Sequence, residues 1–299
     1  KKNVLLSVMD ISKSFENVLL EQVIVIYQKN IPKENKKIQV GCGWNKTINI
    51  LNNIDYALTK NLDIIPCYVD EAKLSILNKI QANSILLSKI SKTSRGLPWQ
   101  RKLSDTGIPI LKGKNIGRYC IKDEISKIKI SMQDKRIKKV IELEQTKIIS
   151  QNIVANVMNP FDHIIIMATL DREGFLTLDT CMNTILTDKR FLHEYILAIL
   201  NSTFASWFYY WFVYNRAIRT MHFDEYYMGK LPIKIIPMNK QKEIAEIVDK
   251  ILEITKDEDY PMNPQKQAKV KEYEHQIDQL VYKLYDLTDE EVYLIEENK

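Results

Sequence analysis

Glycine is scarce in this chain, with eight residues among 299. That leaves little from which to build a glycine-rich loop around a phosphate, so a nucleotide-cradling motif is not expected. Cysteine and histidine number four each. Cys42, Cys67, Cys120 and Cys181 lie far apart with no CxxC pair, which argues against a zinc cluster and fits reduced thiols in a cytosol. No charged-then-apolar leader opens the sequence, and its start on Lys1-Lys2-Asn3 reads as a cut near a domain end. Long apolar runs are almost missing too. Tyr195 to Tyr214 carries no charge over a length that could cross a bilayer, but Asn201, Ser202, Thr203 and Ser206 interrupt it. A buried amphipathic helix is expected there, its Tyr hydroxyls reaching polar partners.

What is present is a large apolar share and a divided charge. Hydrophobic residues make up 45% of the chain, enough for a sizeable core, and the length suits roughly two domains. Residues 89–139 hold fifteen Lys and Arg against four Asp and Glu, a net +11 on a chain of net +5. Residues 240–299 run the other way, with nine basic and sixteen acidic residues. Such segregation marks a face built for a polyanion, and nucleic acid is the first candidate.

The patterning predicts an α+β fold. Val18 to Tyr27 is a β-branched apolar run of the kind that sits in a sheet covered on both faces. Pro32 to Lys37 reads as a linker. From 38 to about 190 strands dominate: Ser84–Ile90, Ile108–Leu111, Ile148–Ala155, His163–Leu170, Phe175–Asp179 and Asn183–Thr187, with Asp171 to Gly174 as a hairpin turn. Asp70 to Gln81 is a helix capped by Asp70. A long aromatic helix follows over Leu192–Trp211, then a short helix near Asp224–Gly229 and a strand from Leu231. Gln241–Ile254 is amphipathic, and Val270, Tyr273, Ile277, Leu280 and Leu284 form a heptad seam. Thr288 and Glu291 make a capping box for a last helix. The ending is thus a helical hairpin with a cap, acidic enough to stay off DNA.

Four segments carry a resemblance. Leu111-Lys112-Gly113-Lys114-Asn115-Ile116-Gly117-Arg118-Tyr119 resembles the "L-x-G-x-D-I-x-R-Y" segment of target-recognition domains in TaqI-type adenine-specific DNA methyltransferases, including type IIG restriction-modification enzymes. Leu197 to Thr203 is similar to their "LLALLNS" helix, Leu231-Pro232 with Gln241 to their "LPI…Q" run, and Ile277 to Thr288 to their "I-D-x-L-V-Y-x-L-Y-x-L-T" ending. Asn115 departs from the pattern, standing where many relatives have Asp. The resemblance implies three parts: residues 1–37 as the terminal strands of an α/β methyltransferase domain plus linker, 38–239 as a mainly β recognition domain, and 240–299 as the helical hairpin. It further implies a parent protein, acting in the cytosol on double-stranded DNA, that methylates adenine N6 with S-adenosylmethionine, with or without DNA cleavage, using domains outside this chain.

The catalytic parts are not legible here. Gln39-Val40-Gly41-Cys42-Gly43 resembles a cofactor turn but lacks an acidic residue and a third glycine. Asn159-Pro160-Phe161 lacks the second proline of a base-flipping loop and reads as a turn. Glu34-Asn35-Lys36 has no nuclease partners. No catalytic residue, cofactor site or metal site is therefore assigned to this chain.

Recognition needs phosphate contacts for affinity and base contacts for specificity. Lys89, Lys92, Lys112, Lys114 and Arg118 are the phosphate candidates, each contact releasing counterions, with Asn115 in the same loop. Gly113 and Gly117 would let backbone N–H groups approach a phosphate. Ser94 to Arg101 is the base-reading candidate, with Arg95 and Arg101 suited to guanine and Gln100 to adenine. Asn215, Arg216, Arg219 and His222 form a second basic loop, whose ordinary alternative is ion pairing to Asp224 and Glu225. Gln151 is either a contact or a satisfied amide. The aromatics from Trp207 to Phe212 are expected in the core rather than as a stacking platform. Two alternatives stand beside this reading: half of a type I specificity subunit, and a membrane-associated scaffold anchored by residues 195–214.

Overall fold

The computed structural model describes residues 3–12, 21–29, 37–44, 47–122, 124–131, 137–159, 161–216 and 221–297. Four strands open the fold, in the order Gln22–Lys29, Asn3–Ser12, Lys37–Trp44 and Thr47–Asp55. The first pair is antiparallel, Asn3–Ser12 and Lys37–Trp44 are parallel, and the last pair is antiparallel. The sheet therefore runs through residues 37 and 38, where the sequence suggested a boundary. The linker expected before Lys37, with Glu34 and Lys36, lies outside the described residues.

Side-chain alternation gives this sheet two unlike faces. Val8, Ile38, Val40 and Ile54 enter the main core. On the other face, Met9 and Ile11 lie over Gly41 and Gly43, where an added Cβ would come within 3.0 Å of Met9 Sδ and of Ile11 Cγ2. Ile50 and Ile48, which pair with Gly41 and Gly43, and Ile26, which pairs with Ser7, are exposed. The apolar run ending at Tyr27 is thus the edge strand of this sheet, with Val23, Val25, Ile26 and Tyr27 exposed in this chain.

Helix Glu71–Gln81 follows, and Asp70 caps it by accepting from Lys73 N at 2.9 Å. Ile76, Leu77 and Ile80 are buried as the pattern predicts, but Ala72 is exposed and Lys73 takes the inner position. The Lys73 ammonium is held by Asp70 at 2.5 Å and lies 4.5 Å from the Trp211 ring centroid.

Two small sheets make up the middle. One has the antiparallel order Ala168–Asp171, Lys147–Gln151, Cys181–Leu186, Ser91–Arg95. The other runs Leu176–Thr177, Ile108–Leu111, Ser126–Ile128, Leu103–Ser104. The hairpin expected at Asp171 to Gly174 does not form, because the strands on its two sides belong to different sheets. Asp171 explains the turn. Its Oδ1 accepts from the N–H groups of Glu173 and Gly174 at 2.9 and 3.0 Å, while its Oδ2 meets Lys147 Nζ in a fully buried ion pair.

The expected aromatic helix is two helices, His193–Asn201 and Thr203–Phe208, bent by 60° and continued as a π-turn over Tyr209–Val213. Ser202 breaks it: extended at ψ 156°, it caps the second helix through Ala205 N, and Asp278 accepts from Thr203 N at 2.8 Å. Phe204, Phe208, Tyr209 and Phe212 are buried, as expected of a core. No single described helix is long and apolar enough to cross a membrane; this bent pair passes by length and composition together.

Helices Met238–Thr255, Pro264–Leu284 and Asp289–Glu296 close the fold. Val270 and Ile277 of the seam are buried. The capping box of Thr288 and Glu291 is present, and Glu291 also takes Ser75 Oγ and Lys79 Nζ, tying the chain end to the early helix. The result is mixed α and β, with several small sheets packed on helices.

Candidate nucleic-acid interface

The turn Leu178–Thr180 is where the two expected contact segments meet. Strand Ser91–Arg95 runs into a loop that lies against it: Leu97 N donates to Thr177 O at 2.8 Å, and Asp179 N to Leu97 O at 3.0 Å. Gly96 makes this approach possible, since a Cβ there would fall 2.3 Å from Leu178 O. Arg95 Nε donates to the Asp179 carbonyl at 2.6 Å, and Gln100 Nε2 contacts the Asp179 carboxylate. From the other side, Gly113 N donates to Thr180 Oγ1 at 2.9 Å. Arg95, Gln100 and the loop from Lys112 are thereby brought to one turn.

Within the 112–118 loop, two assignments need correction. Asn115 is fully buried: its Oδ1 accepts from Lys112 N, and its Nδ2 donates to Lys122 O and Glu124 O. It builds the loop and offers nothing to DNA. The N–H groups of Gly113 and Gly117 are likewise taken, by Thr180 Oγ1 and by Cys120 O, so neither forms a phosphate nest. Gln151 Nε2 donates to Ile116 O at 2.8 Å, the satisfied-amide alternative.

The cations divide into exposed and neutralised. Lys89, Arg101 and Lys114 are exposed, and Lys112 is half-buried. Lys92 is exposed too, but pairs with Glu142 at 2.6 Å. The hydrogen bond from Lys92, with Lys139 beside it, holds the Glu142 carboxyl below its ordinary range. Arg118 pairs with Glu274 of the acidic hairpin at 2.8 Å. Burial opposes the Arg118 charge, but Glu274 overcomes it and raises the guanidinium pKa.

The second basic loop is only partly available. Asn215 Oδ1 accepts from Cys67 N at 2.7 Å and its Nδ2 donates to Ile65 O, so its amide is spent on a neighbouring loop. Arg216 is exposed and lies 5.0 Å from the Trp211 ring and 5.1 Å from Tyr68. Asp224, its expected ion-pair alternative, instead caps helix Glu225–Met228. His222 is exposed; Arg219 lies outside the described residues.

Neither catalytic decoy has catalytic geometry. Gly41 and Gly43 sit within strand Lys37–Trp44, not in a turn, and a Cβ on Gly41 would fall 2.1 Å from Asn49 O. Strand packing fills the space that a cofactor would need, so these residues do not fit S-adenosylmethionine. Asn159 and Phe161 flank the turn between Ala155–Val157 and His163–Ile165, with Pro160 outside the described residues. Among the described residues, no group of three or more His, Cys, Asp or Glu could hold a metal ion. Burial pushes the Cys67 and Cys181 thiols up to about 12, away from reactivity at neutral pH.

Asp179, Thr180, Glu142 and Glu274 were invisible as site-shaping residues in the sequence. Each acts on a partner distant along the chain, and no local spacing announces that.

Residues 108–233 match the family model of the TaqI-like C-terminal specificity domain, bearing out the resemblance read from Leu111 to Tyr119. No curated protein matches the chain. Among solved structures, it is similar to the type IIL restriction-modification enzyme MmeI in complex with DNA, at TM-score 0.44 and 10% identity over 99% of this chain and 45% of that one. It is also similar to the HsdS subunit from Thermoanaerobacter tengcongensis, at TM-score 0.34 and 10% identity over 77% and 52%. A type I restriction-modification S subunit from M. genitalium matches at TM-score 0.33 and 13% identity over 76% and 52%. The chain spans about half the length of the structures it matches.

Proposed function

We propose that this chain reads duplex DNA sequence for a restriction-modification protein and presents the target adenine to a methyltransferase domain for N6 methylation. The observation that carries the reading is the specificity-domain match over 108–233, which contains the loop from Leu111 to Tyr119. The geometry supports it, because that loop and the Arg95–Arg101 loop share the turn at Asp179 and Thr180. Lys89 and Lys114 would hold phosphates, and Arg101 with Arg95 and Gln100, the latter two oriented by Asp179, would reach base edges.

S-adenosylmethionine would belong to the methyltransferase domain, whether or not the parent also cleaves DNA. The open face of the N-terminal sheet, with Ile26, Ile48 and Ile50 exposed, is where we dock that domain. Apolar side chains on both faces are the pattern of a sheet covered twice. Action on DNA would place the protein in the cytosol. Use of the fold as half of a type I specificity subunit is equally compatible with the specificity-domain match, whereas the 60° bend and burial of the aromatic helices favour a core over a membrane anchor.

The experiment is selection of bound duplexes from a random pool. One enriched consensus, with affinity falling steeply as salt rises, is expected. An unenriched pool bound with a flat salt response would refute the reading.

A further inference from the structure

Gln100 and Asp179 lie 79 residues apart, and Nε2 of the Gln100 amide donates to the Asp179 carboxylate. An ionised carboxylate has no proton to give, so it only accepts. This partner therefore settles a choice that a glutamine amide otherwise leaves open. Nε2 faces Asp179 and Oε1 faces away from it. Nε2 carries two hydrogens, one of which goes to Asp179, so Oε1 and the second hydrogen remain on the other edge of the amide.

The backbone on both sides of this contact is held in place. Asp179 N donates to Leu97 O at 3.0 Å, Leu178 N to Leu111 O at 2.8 Å and Cys181 N to Leu178 O at 2.9 Å, which ties down the turn. Trp99, beside Gln100, is buried in one apolar cluster with Leu97 and Leu178. Gln100 itself is exposed, and Asp179 is half-buried. A fixed backbone and an exposed, oriented amide together make a well-positioned contact group. Arg95 is tied differently. Its Nε donates to the Asp179 carbonyl at 2.6 Å, a contact that does not depend on the Asp179 side chain.

We propose that Asp179 is a positioning residue for base choice, setting the Gln100 amide in the one orientation that reads adenine. The proposal rests on the DNA-reading function above and names the base. Oε1 accepts from adenine N6 and Nε2 donates to N7, the bidentate match of an amide to adenine in the major groove. A turned amide presents acceptor to acceptor and donor to donor, and the match is lost. Asp179 makes no contact of its own to DNA, and its negative charge repels nearby phosphates. Removing that charge therefore strengthens binding to any duplex while it blurs the reading.

The test is selection of bound duplexes from a random pool by the chain and three variants, with affinity for one unselected duplex measured alongside. Gln100→Ala should remove the preference at one A·T pair. Asp179→Asn keeps the shape but can donate as well as accept, which frees the Gln100 amide to turn. It should weaken the preference at that same pair about tenfold, and leave unchanged the pair that Arg95→Ala relaxes. Binding of Asp179→Asn to the unselected duplex should tighten, whereas damage to the turn would weaken it. Should Asp179→Asn fail to fold, Asp179→Ser, too short to reach the amide, takes its place with the same expectations. The proposal alone is overturned if the pair lost in Gln100→Ala is not A·T, if Asp179→Asn keeps its preference there, if the Arg95 pair relaxes equally, or if binding to the unselected duplex weakens. A pool without any consensus for the unaltered chain refutes the DNA-reading function, and the proposal with it.

Discussion

Arg118 and Glu274 are 156 residues apart in sequence and 2.8 Å apart in space, Nε to Oε1. An arginine in the most basic part of the chain is therefore held by the most acidic part. The acidic hairpin thereby withdraws one cation from the basic block.

Glu274→Gln should release that cation. Duplex affinity should rise for all sequences alike, and the slope of log affinity against log salt should steepen by about 1. Filter binding at several salt concentrations measures both. Arg118→Ala, in contrast, should cost about 2 kcal/mol of stability, a hydrogen bond to a charged group, with little change in DNA affinity.

Lys114→Ala should weaken binding to every duplex, whereas Arg95→Ala should relax preference at one base position. Selection from a random pool distinguishes them. Equal effects from the two changes would undo the division between phosphate and base contacts.

Asn115→Asp restores the residue common in relatives, yet here it should destabilise by about 2 kcal/mol. The carboxylate would keep the bond from Lys112 N but would turn oxygens toward the carbonyls of Lys122 and Glu124, where the amide now donates. Thermal melting gives the answer.

Stability should fall on mild acidification because of His193. Burial lowers its pKa below the usual 6.5, with Arg172 adding to the effect and Glu194 opposing it. The unfolded chain then binds the proton more readily, so this stabilisation is present above pH 6.5 and is lost as pH falls through 6.5 toward the lower folded value. His193→Gln should flatten that part of the profile in melting experiments.

Ile26→Lys together with Ile50→Lys should leave the melting temperature nearly unchanged, since both side chains are exposed. In a parent enzyme the same pair should disrupt docking of the methyltransferase domain and lower methylation. An unaffected parent would remove this face from the interface.

Features set by a few neighbouring residues were legible in the sequence. The Asp70 cap, the Thr288 and Glu291 box and the Val270 to Leu284 seam follow from short spacings, which local backbone chemistry dictates, whereas the Leu111 to Tyr119 motif was legible only through its resemblance to a family. The hairpin at Asp171 was misread because its strands choose partners by packing, and no local pattern names those partners. The aromatic helix was read as continuous although Asn201 to Thr203 interrupt its apolar pattern, because polar side chains by themselves do not end a helix. Ser202 starts a second helix there by capping Ala205 N, together with Asp278, which reaches Thr203 N from 75 residues away.

Sequence alone determined that one region is strongly basic and that another is acidic, and its resemblance to a family singled out the segment from Leu111 to Tyr119. Tertiary structure alone decided which of the cations remain exposed. Lys92 meets Glu142, Arg118 meets Glu274, and Asn115 turns inward, because charge and hydrogen-bond pairing depend on distance in space, which the order of residues along a chain does not contain.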